Sequence, residues 1–187
     1  MVSIGRISVE PGGGLFVIAG PCVIESRDLC LDVADRLVEV AAATGVTIFF
    51  KASFDKANRS SAGSFRGPGL VEGLKVLAEV KDRSGLPVVT DVHLPEQASE
   101  VAKVVDCLQV PAFLCRQTDL LVACAETGRP VNIKKGQFVS PEEMANAVDK
   151  VRAAGNNHHG DGQGAAREKE EKDAAAQVTP HVRTPVA

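Results

Sequence analysis

Residues 49–70 read FFKASFDKANRSSAGSFRGPGL, and the layout of this stretch predicts how the chain folds. An apolar run that starts at Val46 stops at Lys51, and polar, small and glycine residues then continue until an amphipathic segment begins at Leu70. The loop has one acid, Asp55, and four cations, which are Lys51, Lys56, Arg59 and Arg66. Cations, short hydroxyl donors and glycines directly after a buried strand predict a site for a phosphate-like anion. The alternative is a solvated basic loop.

The segments on both sides of this loop alternate between apolar strands and amphipathic helices. A predicted strand (15–20), a helix (28–44) and a second strand (46–50) lead into the loop. The segments that follow it are a helix (70–83), a strand (87–90), a helix that begins at Pro95, a strand (104–108), a helix (118–127), a strand (131–133) and a helix after the capping box SPEE at 140–143. This alternation predicts βαβ units and therefore a parallel sheet.

Four of the predicted strands end at a polar or charged residue: Lys51, Asp91, Gln109 and Lys134. In a (β/α)8 barrel the carboxyl ends of the strands converge on one mouth, where active sites lie. A doubly wound sheet instead binds its ligand mainly at one switch point. Four separate contributions favour an α/β fold that is a partial (β/α)8 TIM barrel of about five βα units.

The chain divides into three segments by composition. Residues 1–14 form an N-terminal extension, 15–156 the partial barrel, and 157–187 a low-complexity tail. The tail has few large apolar residues and many charges, glycines and alanines, which predicts disorder. His158, His159 and Asp161 resemble a metal cluster in composition, but the interpretation we adopt for them is a polar, flexible tail.

Overall composition argues against several classes of partner. The 187 residues carry a net charge of −3 and include no Trp or Tyr, so we expect no nucleic-acid partner. The apolar segment 15–24 is too short to span a bilayer, so we expect no membrane partner. Five cysteines without a C-x-x-C spacing suit reduced thiols in a cytoplasmic protein, and Cys22 taken alone predicts an inert buried thiol.

Six motifs in the first 155 residues resemble a known family: IAGPCVIES (18–26), FKASFDKANRSS (50–61), SFRGPGL (64–70), TDVH (90–93), QVPAFLCRQTDLL (109–121) and VNIKKGQF (131–138). Together they resemble 3-deoxy-D-manno-octulosonate 8-phosphate synthases over residues 15–155. The resemblance implies an enzyme that condenses phosphoenolpyruvate with D-arabinose 5-phosphate and water and releases phosphate, in lipopolysaccharide biosynthesis. It also implies a homo-oligomer, a tetramer. The related 3-deoxy-arabino-heptulosonate 7-phosphate synthases have a K-P-R-T type motif where this chain has ANRSS at 57–61.

The resemblance also implies roles for individual residues. Lys51 and Lys56 would be catalytic and would bracket the phosphoenolpyruvate anion and the nearby aldehyde. The sugar phosphate would be bound by Asn58, Arg59 and Ser60. Asp91 and Gln109 match positions that contact the sugar or a water on the metal side. Arg116 and Lys134 would complete the anion clamp; without the resemblance, an exposed surface position is the alternative for each.

Cys22 occupies a position that divides the family into two classes. A cysteine there implies a metal-dependent enzyme with a divalent ion such as zinc, iron or manganese. The other family ligands are a His, a Glu and an Asp from later strands, and this chain has no matching motif for them.

The chain departs from the family after the fifth βα unit, because the sixth-strand Glu-Arg-Gly motif is missing. Five units leave the first and last strands with open edges. A truncated, non-catalytic barrel remnant with at most weak phosphate-ligand binding is therefore one alternative to the synthase. A heptulosonate 7-phosphate synthase relative is the other.

Overall fold

The computed structural model describes residues 2–10 and 12–156. Their elements in chain order are β1 (Val2–Ile4), β2 (Ile7–Val9), β3 (Phe16–Ala19), α1 (Arg27–Thr44), β4 (Thr47–Lys51), α2 (Leu70–Ser84), β5 (Val88–Asp91), a 3-10 turn (Pro95–Gln97) that leads into α3 (Ala98–Ala102), β6 (Cys107–Val110), a 3-10 turn (Ala112–Leu114), α4 (Thr118–Glu126), β7 (Val131–Ile133) and α5 (Met144–Ala153). The predicted disorder of 157–187 lies outside the described residues.

Five strands form one parallel sheet in the order β3-β4-β5-β6-β7. Each strand pairs with the next strand in the chain. The sheet is curled into a half-barrel, with the helices on its outer side. The predicted partial (β/α)8 architecture is therefore confirmed. Within the described residues β3 pairs only with β4 and β7 pairs only with β6, so both edges of the sheet lack a neighbour there.

The two faces of the sheet pack into different apolar clusters, because successive strand residues point to opposite sides. The larger cluster lies between the sheet and the helices and includes Phe50 and Leu108. The smaller cluster covers the inner face and contains Phe49, Val89 and Cys107. The inner face is the one that continues, at the carboxyl ends of the strands, into the polar residues described below.

The predicted N-terminal extension contains an antiparallel hairpin of β1 and β2. Gly5 makes its turn with φ +60°, and its Cα faces the side chains of Pro87 and Asp106, which precede β5 and β6. Ile4 is 8% exposed and joins the inner cluster. The hairpin therefore covers the inner core at the amino ends of the strands, opposite the polar end.

Strand β6 begins three residues later than the sequence pattern predicts. The backbone N–H groups of Val104 and Val105 still bond to Val101 O at the end of α3. The Asp106 carboxylate then accepts hydrogen bonds from Lys81 Nζ at 2.8 Å and Val88 N at 2.9 Å. Because of these contacts the strand begins only at Cys107. Gln109 therefore lies within the strand and does not follow it.

The predicted capping box before α5 is present. Ser140 N donates to Glu143 Oε2 at 3.0 Å, and Glu143 N donates to Ser140 Oγ at 3.2 Å. No helix within residues 2–10 and 12–156 has both the length and the apolar character needed to cross a bilayer.

Candidate active site

Polar side chains occupy the inner face of the sheet where β4, β5, β6 and β7 approach their carboxyl ends. Lys51 follows Phe49 on that face by the period-two rule, as Asp91 follows Val89 and Gln109 follows Cys107. The register places Asp91 opposite Gln109. The sheet thus assembles side chains that are 18 to 58 residues apart in sequence, as its parallel topology requires.

Asp91 is the hub of this cluster and is only 5% exposed. Lys51 Nζ lies 2.9 Å from Oδ1, and Lys56 Nζ forms an ion pair with Oδ2 at 3.5 Å. Ser53 Oγ donates to Oδ2 at 2.8 Å, and Gln109 Nε2 donates to Oδ1 at 2.7 Å. One carboxylate therefore fixes two ammonium groups and two neutral donors in a site nearly closed to solvent.

Lys134 adds a third cation to the cluster. Its backbone N–H donates to Val110 O at 3.0 Å, which places it immediately beyond β7. Burial lowers the pKa of Lys51; Asp91 opposes this, while the positive charges of Lys56 and Lys134 lower the pKa further. Three lysines around one aspartate leave a positive excess, which favours an anionic ligand.

The pKa of Asp91 is lowered although burial by itself would raise it. Burial is the largest single influence, but the charges of Lys51 and Lys56 and the hydrogen bonds from Lys51 and Ser53 together outweigh it. Asp91 is therefore ionised at neutral pH and acts only as an acceptor.

The loop after β4 carries Asn58, Arg59 and Ser60, and all three are exposed. Arg59 Nε donates to Phe65 O at 3.1 Å. Arg66 instead makes two hydrogen bonds to Asp55, at 2.8 and 2.6 Å, which close the base of the loop. The four loop cations thus have different surroundings: Lys51 and Lys56 contact Asp91, Arg66 pairs with Asp55, and Arg59 lies at the loop surface.

Two glycines in and before this loop serve close packing of the chain on itself. A Cβ at Gly67 would lie 2.4 Å from Phe54 O, and a Cβ at Gly20 would lie 2.2 Å from Lys51 O. Both have positive φ, +121° and +148°. Gly20 therefore allows the segment after β3 to pack directly against the backbone of Lys51.

The Arg116 side chain makes no hydrogen bond or ion pair with the cluster within residues 2–10 and 12–156. It is exposed after the second 3-10 turn, and the hydrogen bond found there uses its backbone oxygen, which accepts from Lys150 Nζ at 3.1 Å. Of the residues singled out from the sequence, the structure gathers Lys51, Lys56, Asp91 and Gln109 around one point, with Lys134 beside them. Arg116 and the loop residues 58–60 are exposed and make no direct contact with Asp91 among the described hydrogen bonds and ion pairs.

Cys22 is exposed, which corrects the buried position that its apolar neighbours predict. The adjacent Val23 bridges Ser53, and this places the thiol in the loop next to the polar cluster. No group of three or more His, Cys, Asp or Glu side chains in residues 2–10 and 12–156 is arranged to hold a metal ion. The described donors therefore do not fit the divalent ion that the resemblance implies, since a single thiolate is a poor site.

Sequence reasoning gave no role to two further residues at this end of the sheet. Asn132 on β7 donates from Nδ2 to Gln109 Oε1 at 3.0 Å. His93 packs edge-on to Phe54, with ring centroids 5.7 Å apart, and burial lowers its pKa. The period-two rule, counted back from Lys134, is the signal that finds Asn132. The ring contact of His93 depends on tertiary packing and has no such signal.

Comparison with known proteins gives a consistent assignment. The DAHP synthetase I family model matches residues 3–176, beyond both ends of the 15–155 resemblance. The 2-dehydro-3-deoxyphosphooctonate aldolase of Nitratidesulfovibrio vulgaris (strain DP4) is 61% identical over 141 residues, which cover 75% of this chain and 52% of the relative. The proteins of the same name from Paracidovorax citrulli and Trichlorobacter lovleyi are 60% identical over 139 residues (74% of this chain, 49% of the relative) and 54% identical over 155 residues (83% and 57%).

The chain spans about half the length of the curated relatives it matches. The family match nevertheless covers most of the chain, and the five-stranded parallel half-barrel agrees with the TIM-barrel fold of this family. The chain belongs to the DAHP synthetase I family.

Proposed function

We propose that residues 15–156 form the part of a 3-deoxy-D-manno-octulosonate 8-phosphate synthase that binds phosphoenolpyruvate and D-arabinose 5-phosphate. The observation that carries this proposal is the cluster of Lys51, Lys56 and Lys134 around the buried Asp91. Phosphoenolpyruvate has a carboxylate and a phosphate ester attached to the same carbon. Ammonium groups in a site with little solvent bind the oxygens of such anions strongly.

The reaction joins the three carbons of phosphoenolpyruvate to the five of the pentose phosphate, and water replaces the phosphate that leaves. Lys51 and Lys56 hold the anion and lie next to the aldehyde. Asp91 can accept a hydrogen bond from a sugar hydroxyl, and Gln109 keeps its carboxylate in place. Because the described residues do not fit a divalent ion, no step is assigned to one.

The exposed segment at 58–60 supplies the sugar-phosphate end. Asn58 and Ser60 carry short polar side chains on either side of Arg59, whose guanidinium lies at the loop surface. Arg66 is held by Asp55 and is therefore a poorer phosphate ligand. In this proposal the carbon chain of the sugar extends from its phosphate at residues 58–60 to its aldehyde at the lysine cluster.

Two alternatives to this function, a heptulosonate 7-phosphate synthase and a non-catalytic barrel remnant, can be distinguished from it by one series of ligand titrations. A heptulosonate 7-phosphate synthase would take a four-carbon aldose phosphate, since seven carbons less three leave four. We expect calorimetry, with phosphoenolpyruvate present, to detect binding of D-arabinose 5-phosphate and at least tenfold weaker binding of the four-carbon sugar. The reverse order would identify the heptulosonate relative. If neither sugar phosphate nor phosphoenolpyruvate binds, the result would support the non-catalytic barrel remnant.

A further inference from the structure

The polar cluster continues past Asp91 as a row of hydrogen-bonded side chains across three strands. The register places Asp91 of β5 opposite Gln109 of β6, and Gln109 opposite Asn132 of β7. Gln109 Nε2 donates to Asp91 Oδ1 at 2.7 Å, and Asn132 Nδ2 donates to Gln109 Oε1 at 3.0 Å. We call Asp91, Gln109 and Asn132 the amide row.

The chemistry of the row has a fixed direction. An ionised carboxylate only accepts, so Gln109 has to present its N–H to Asp91. Its oxygen then faces the other way and needs a donor of its own. Gln109 is 6% exposed, so solvent is a poor substitute and an unpaired amide oxygen would be costly. The amide of Asn132 supplies the donor that this orientation requires.

We propose that Asn132 is a positioning residue that fixes the amide orientation of Gln109 and, through it, the Asp91 carboxylate between Lys51 and Lys56. The inference rests on the proposed function, because Asp91 and the two lysines are the groups assigned there to the substrates. Without the Asn132 donor, Gln109 can rotate and turn its oxygen toward Asp91. Two acceptors would then face each other, and the carboxylate would lose one of the contacts that orient it.

The other charged or titratable side chains around the row come from each packed element. They are Lys51 and Lys56 from β4 and the loop after it, His93 beyond β5, Cys107 from β6 and Lys134 beyond β7. Lys51 and Lys56 keep Asp91 ionised, so it remains an acceptor while an added carboxyl at position 132 takes up a proton.

The test is NMR on the isotopically labelled 187-residue chain. A through-hydrogen-bond correlation between Gln109 Nε2 and the Asp91 carboxyl carbon reports the orientation directly. We expect it in the wild type and lost in Asn132→Leu and, at neutral pH, in Asn132→Asp. It should return in Asn132→Asp as the pH falls and the introduced carboxyl becomes a donor. Asn146→Asp makes the same change on the exposed face of α5 and should leave the correlation intact.

A correlation that persists unchanged in both Asn132 variants overturns the proposal. If neither variant folds, the wild-type spectrum decides: coupling of Gln109 Nε2 to the Asn132 side-chain carbonyl carbon instead of Asp91 also overturns it. Phosphoenolpyruvate titrated into the same samples separates the two claims. We expect affinity about tenfold lower in Asn132→Leu than in Asn146→Asp. A row that behaves as expected in a chain that binds no phosphoenolpyruvate rejects the proposed function and retains the role of Asn132 in orienting Gln109.

Discussion

At the scale of single residues, the chemistry of the cluster follows from one buried carboxylate. Asp91 is 5% exposed and is held by two lysines, a serine hydroxyl and a glutamine amide. Removing a buried partner of this kind leaves an uncompensated charge, which is costlier than the loss of an exposed pair. The cluster therefore contributes to folding as well as to the ligand binding proposed for it.

The stability of the chain should depend on pH through Asp91. Its folded pKa lies below the ordinary value of 3.8, so its contribution is fully present above pH 3.8 and is lost as the pH falls through the folded pKa. We expect urea unfolding followed by circular dichroism to give a steeper loss of stability below pH 3.8 in the wild type than in Asp91→Asn. Equal slopes, or a direct carboxyl titration of Asp91 at its ordinary pKa, would contradict this.

The two arginines of the loop should differ in their effect on sugar-phosphate binding. We expect Arg59→Ala to weaken D-arabinose 5-phosphate binding by about 1.5–3 kcal/mol, the value of a charge-assisted hydrogen bond. Arg66→Ala should weaken it far less, because Arg66 is occupied by Asp55. Calorimetry on both variants measures the difference, and similar affinities would show that the 58–60 segment does not bind the phosphate.

At the scale of elements, the strand alternation and the helix ends could be read from the sequence. Gly45 ends α1 with φ +71°, and β7 has the predicted bounds. The start of β6 could not be read, because the Asp106 contacts that precede the strand come from Lys81 and Val88, which are distant in sequence. For the same reason the exposure of Cys22 lay beyond local pattern, because the neighbouring Val23 is placed by its bridge to Ser53.

Gly20 should be far less tolerant of substitution than Gly45. Alanine at Gly20 would put its Cβ 2.2 Å from Lys51 O, so the loop after β3 would have to move away from β4. Alanine at Gly45 meets nothing within 4 Å and faces only the cost of a positive φ, about 1–2 kcal/mol. Urea unfolding should give a clearly larger loss for Gly20→Ala, and equal losses would show that the loop yields without cost.

At the scale of the whole molecule, five strands of a closed-barrel architecture expose two edges. Within the described residues β3 and β7 each have one paired side, and Val17 on β3 is 38% exposed. Open edges offer backbone donors and acceptors to another chain. The candidate site also has residues on one side only, because all its cations come from the strands of this half-barrel or from the segments directly after them.

The 187-residue chain expressed alone should therefore self-associate and show negligible synthase activity. We expect light scattering during size-exclusion chromatography to show species larger than a monomer that grow with concentration. Phosphate release from phosphoenolpyruvate with D-arabinose 5-phosphate should be negligible in the smallest species. A stable monomer, or phosphate release at a typical enzymatic rate of about 1 per second or faster, would contradict the role given to the open edges.

The central claim is that the lysines around Asp91 form an anion site, and calorimetric titration of phosphoenolpyruvate tests it most directly. Lys134→Met removes a cation of the cluster, whereas Lys103→Met removes an exposed cation on the outer side that pairs with Glu100 at 2.6 Å. We expect Lys134→Met to weaken phosphoenolpyruvate binding about tenfold or more, and Lys103→Met to leave it unchanged. Equal affinity in the wild type and both variants would contradict the claim.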